Sequence, residues 1–180
     1  MGRSTKGKRD VGAGRFGRFA ASAMLLAAAC GTIGAGPARA QAGDKPPSTF
    51  SAVIGSALLC RDQIDNAYFY SWLTRFFGPA YKHEGGAYWF RTDDASLWGT
   101  PVSEVMVSDD TSELAFVAAV SEVPPDELEG AIRKAVGIRY LAVDASPYPV
   151  RVSNPGSKIA YYNTKSKIYC AKFKSLPPRP

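Results

Sequence analysis

PDELEGAIRKAVG, residues 125–137, is the stretch from which the fold is read. Leu128, Ala131, Ile132, Ala135 and Val136 recur at i, i+3, i+4, i+7 and i+8, which lays one apolar stripe along a helix. Pro125 suits the first helical position. Asp126 and Glu127 stand where the helix dipole favours acids, Arg133 and Lys134 where it favours bases, and Gly137 supplies a left-handed stop. Such a stripe must be covered, and the segments on both sides are strand formers.

Upstream, Ala87 to Arg91 (AYWFR) and Val102 to Val107 are β-rich and bounded by turn residues, and Leu114 to Val120 is a near-continuous apolar run. Asp109-Asp110-Thr111-Ser112 is a turn that would join the last two as an antiparallel hairpin, and Thr92 to Ser96 reads as a polar loop. Earlier still, Arg61 to Phe77 reads as a helix closed by Gly78, with Asp62 and Asp65 in its first turns and Pro79 forbidding continuation. Positions 68, 69, 72, 73, 76 and 77 sweep a broad apolar face suited to lying on a sheet. The preceding AVIGSALLC fits a strand or an extra helical turn, and its periodicity does not decide between them. Downstream, strands are expected at Tyr140–Val143, Val150–Val152, Lys158–Tyr162 and Ile168–Phe173, the last two flanking a hairpin turn at Asn163 to Ser166.

The expected fold class is therefore α+β, with two helices packed on a mostly antiparallel sheet. The order can also be read as an αβββ unit repeated, residues 61–121 and 125–173, although the residues themselves do not visibly repeat.

The N-terminus places the domain in its compartment. Six basic residues between Arg3 and Arg18 precede an apolar run from Phe19 to Ala29, too short to span a bilayer, and Ala38-Arg39-Ala40 offers small residues to a signal peptidase. Residues 1–40 read as a secretory signal peptide cleaved before Gln41; lipid attachment at Cys30, after three alanines, is the minor alternative. Residues 41–48 form a flexible leader, 49–174 a single domain, and 175–180 (SLPPRP) a disordered tail. No transmembrane segment is expected in the mature chain, and the location is periplasmic or secreted.

Removing the signal changes the electrostatics. The whole chain has a formal charge of +6, but residues 1–40 hold seven bases and one acid, so the remainder balances at 15 of each. The basic character belongs to the signal and is no argument for nucleic-acid binding. Within the mature chain, residues 41–130 carry 14 acids and five bases, and residues 131–180 carry one acid and ten bases. The two halves would attract and neutralise each other across the fold, or steer a charged partner.

Cys60 and Cys170 are the two cysteines of the domain, and in an oxidising compartment they most simply form one disulfide. The loop it closes, roughly 110 residues, would stabilise the fold by about 4–5 kcal/mol in the chain-entropy account. With no C-x-x-C and one histidine, neither a redox nor a zinc pattern is matched.

The ARA/QA signal, the segment CRDQIDNAYFYSWLTRFFG (60–78) and the closing KIAYYNTKSKIYCAKF (158–173) resemble the small uncharacterised exported proteins of proteobacteria. The resemblance implies a periplasmic or secreted bacterial setting and brings with it no activity and no site residue.

Catalytic patterns are scarce. His83, expected as a surface residue on an exposed loop beside Gly85-Gly86, is the lone histidine, and HEGGA lacks the second histidine of H-E-x-x-H. There is no G-x-S-x-G, P-loop or dinucleotide fingerprint, and no cofactor or metal is expected. Asp93-Asp94 and Asp109-Asp110 are the visible carboxylate pairs, both in turn contexts that favour Asp for backbone reasons. The hairpin near the C-terminus interleaves basic and aromatic residues: Tyr161, Tyr162, Lys165, Lys167, Tyr169 and Lys172. Lysines there would guard a sheet edge, or form a binding face for an envelope or extracellular protein or glycan. The favoured reading is a noncatalytic binding module, an inhibitor or accessory factor acting on another macromolecule. The alternative is a small carboxylate-dependent hydrolase of envelope polysaccharide or peptidoglycan.

Overall fold

The computed structural model describes residue 46 and residues 48–174. The signal peptide, Cys30, the cleavage site and the C-terminal tail lie outside the described residues. In chain order the elements are α1 (Phe50–Leu58), α2 (Asn66–Phe77), β1 (Lys82–Glu84), β2 (Ala87–Leu97), β3 (Thr100–Ser108) and β4 (Leu114–Ser121). They continue with α3 (Pro125–Val136), β5 (Tyr140–Ala142), β6 (Arg151–Ser153), β7 (Lys158–Tyr162) and β8 (Lys165–Phe173).

The α+β class holds, with three helices where two were expected. The segment read as ambiguous is α1. Phe50, Ile54, Ala57 and Leu58 fall at i, i+4, i+7 and i+8 and all are buried, and Gly55 lets the Trp98 ring approach closely. The helix expected from Arg61 begins only at Asn66. Asp65 has extended backbone and its carboxylate accepts from the Tyr68 N–H at 3.0 Å, so it is the N-cap and not a first-turn residue. Helix α3 has the expected bounds, with Gly137 at φ +75°.

All eight strands form one antiparallel sheet in the order β1-β2-β3-β4-β8-β7-β6-β5. Four strands follow α2 and four follow α3, so the count of three per half is corrected. Strand β1 is an addition, and His83 lies in it, not in a loop. The expected loop 92–96 is part of β2: the register slips between Arg91 and Ala95, and the bulge, with Asp94 at φ +61°, carries the two aspartates without ending the strand. Trp98 and Gly99, both at positive φ, make the tight turn into β3. The expected hairpins β3–β4 and β7–β8 are both present.

The helices lie on one face of the sheet, α1 against β2, β4 and β8, α2 against β2 to β4, and α3 against β7 and β8. Between the layers Ile54, Leu73, Phe90, Val105, Ile132 and Ile168 are buried to 1% exposure or less. Burying each such side chain contributes about 1.5–3 kcal/mol. Cys60 and Cys170 form the disulfide, joining the α1–α2 connection to the middle of β8. Among the described residues no helix is long and apolar enough to cross a membrane.

Candidate functional site

Strand alternation sends every second residue to the face that carries no helix. On β2 that is Trp89, beside inward Phe90; on β3 it is Met106, beside inward Val105 and Val107; on β4 it is Phe116, Ala118 and Val120. On β8, Lys167 faces Val120 and Tyr169 faces Ala118. These residues form a second apolar cluster, separate from the main core: Met106, Ala118 and Val120 are buried beneath the flanking Trp89, Phe116 and Tyr169. They line a groove of about 480 Å³ that is open to solvent along the sheet and bordered by Lys82 and Lys167.

The charges around the groove are mostly satisfied locally. Lys82 pairs with Glu84 at 2.6 Å and its ammonium lies 4.9 Å from the Trp89 ring centre. Tyr81 donates to Glu104 at 2.8 Å, with the Arg91 guanidinium over its ring. Burial, and then that hydrogen bond to Glu104, push the Tyr81 hydroxyl up to about 12. Lys165 pairs with Glu122 at 2.6 Å. Lys167 differs: among the described residues it has no ion pair and donates no hydrogen bond, and its ammonium sits 4.4 Å from the Tyr162 ring centre and 5.5 Å from that of Trp89. Burial pulls its pKa below the usual lysine value, against the smaller opposing influence of Glu104.

The residues singled out on the hairpin are thus divided. Tyr162, Lys165, Lys167 and Tyr169 share the open face. Tyr161 points to the helix side, edge-to-face with Tyr148, and Lys172 on that side donates to the Asp62 carbonyl at 3.1 Å. Edge protection is corrected: β7 and β8 are interior strands, and the edges are β1 and β5. Trp89, Met106 and Phe116 were not singled out from sequence. The signal for Phe116 was the run at Leu114–Val120, apolar at consecutive positions, which marks a strand with apolar groups on both faces; Trp89 and Met106 had no such local signal.

Elsewhere, His83 Nε2 lies 2.6 Å from Asp109 Oδ2, and its ring stacks on Tyr88. Asp109 has only 5% of its side chain exposed, against 52% for His83, and also accepts from the Thr111 hydroxyl and the Thr111 and Ser112 N–H groups. The Thr111 hydroxyl first, then His83, hold its carboxyl down at about 2. In a nucleophilic triad the carboxylate holds Nδ1 and leaves Nε2 to act as base; here Asp109 occupies Nε2, and no hydroxyl or thiol among the described residues bonds to His83. Asp93 and Asp94 line a separate depression of about 450 Å³ with Glu122, whose carboxylate is committed to Lys165. No group of three His, Cys, Asp or Glu among the described residues is placed to hold a metal ion.

Fold and groove together define a class: an α+β domain, stapled by one disulfide, whose single antiparallel sheet is roofed by helices on one face and carries an apolar, lysine-bordered groove on the other. No family model, curated protein or solved structure matches the chain.

Proposed function

We propose that the chain is a noncatalytic binding module of the periplasm or the extracellular space, an inhibitor or accessory factor that engages another macromolecule through the open face of its sheet. The observation that carries the reading is the groove itself. Soluble domains rarely leave a contiguous apolar patch uncovered unless something covers it, and aromatic residues and methionine, such as Trp89, Phe116, Tyr169 and Met106 here, are enriched at interface centres. The basic n-region, apolar run and A-x-A site of residues 1–40 support export, and the disulfide accords with an oxidising compartment.

The test places a photo-crosslinking benzoylphenylalanine at Trp89 and, as a control, at exposed Glu127 on α3, in the protein expressed in its own host. Irradiation is expected to give a discrete macromolecular adduct from position 89 and none from position 127, on a chain whose intact mass begins at Gln41. Adducts equally frequent at both positions would overturn the reading.

A further inference from the structure

Among the cations that line the groove, one has no ion pair among the described residues, and that fact narrows what fits it. Lys82 and Lys165 each pair with an acid and Arg91 lies over the Tyr81 ring, whereas Lys167 stands half-buried at the groove wall against the Tyr162 and Trp89 rings without an ion pair among the described residues, and the acid that acts on it, Glu104, accepts from Tyr81. The floor offers Met106, Ala118 and Phe116, without a hydroxyl, amide or carboxylate side chain, and the margin adds only the Tyr169 hydroxyl and the Glu84 carboxylate, which is committed to Lys82. A glycan needs several such polar partners, and a polyanion or anionic membrane needs several free cations. What fits is an apolar body carrying a single anionic group. The groove is also too open to bury the greater part of a free small molecule, as small-ligand sites do; a side chain delivered by a larger surface avoids that difficulty.

Resting on the proposed binding reading, we infer that the partner is a protein that inserts one bulky apolar side chain between Trp89, Phe116 and Tyr169 and sets a neighbouring carboxylate on Lys167 Nζ. Asp, Glu and a chain end all present this carboxylate at a short reach from an apolar side chain. Desolvation by the arriving partner strengthens the ammonium–carboxylate hydrogen bond, because the surrounding rings keep water out.

The probe is a displayed random-peptide library selected in parallel on the intact mature protein and on its Lys167→Met variant. Selection on wild type is expected to enrich Leu, Met, Phe or Trp next to Asp or Glu, or at a free C-terminus. On Lys167→Met the apolar preference should remain and the acidic one vanish. A synthetic peptide from the wild-type selection should bind the variant about tenfold or more weakly, with Lys167→Arg restoring most of that loss. Lys167 has no ion pair to lose among the described residues, so unfolding curves of both variants serve as the folding control. Peptides without acidic enrichment, equal binding to both proteins, or no enrichment over background would each overturn the inference. The first two leave the binding reading standing; loss of the Trp89 crosslink specificity described above would remove the reading itself.

Discussion

Asp109 shows how a single carboxylate is placed by its neighbours. It closes the β3–β4 turn by accepting from Thr111 and Ser112, and it reaches across to His83 on β1. Gly86, at φ +73°, sits where a Cβ would come within 3.2 Å of the Ser112 Cβ, so a larger residue would crowd the turn that presents the aspartate. Its folded pKa of about 2 is below the ordinary 3.8, so the ionised form is the one the fold favours. The stabilisation is complete above about pH 4 and is lost as pH falls through 2, where folded and unfolded chains are both protonated. Wild type is expected to unfold at a higher temperature than Asp109→Asn at pH 5–6. That gap should shrink steadily between pH 4 and pH 2, which a series of thermal melts in that range would read. A constant gap would mean that Asp109 acts by shape alone.

Among the elements, α1 makes the clearest demand on the core. Ile54 is fully buried against the sheet, so Ile54→Ala should cost about 2–5 kcal/mol in denaturant unfolding, while Ser51→Ala on the solvent side of the same helix should stay within about 0.5 kcal/mol. This helix was not decided by its sequence because nine residues with a central glycine give too few turns for the period to separate from a short apolar strand. Helix α3 was legible to the residue, since its stripe, its charged ends and Gly137 all agree. Strand β1 was invisible: Lys82, His83 and Glu84 carry no apolar pattern, and only pairing with β2 makes them a strand. The groove lay between these extremes. Lys167 and Tyr169 were legible as an alternating pair, but Trp89 and Met106 join them only through the β2-β3-β4-β8 register, which no local signal contains.

At the scale of the molecule, the acidic and basic portions of the chain meet. Arg151 on β6 pairs with Asp126 and Glu129 of α3, Lys165 with Glu122, and Lys174 donates to the Asp109 carbonyl. The disulfide adds a covalent tie across a sequence separation of 110. Replacing both cysteines with serine should lower the unfolding free energy by about 4–5 kcal/mol if the constraint acts through the unfolded chain, measured by denaturant titration under matched conditions. A loss below about 1 kcal/mol would show that the unfolded chain is already held compact. The position of β8 has a further consequence. The last strand of the described residues is also the one that joins the two halves of the sheet, since only β8 links β4 to β7. A nascent chain stopped before residue 165 therefore holds two separate half-sheets with their inner edges bare and Cys60 without its mate. Such a fragment is open to proteolysis, whereas a chain that includes β8 can close its sheet.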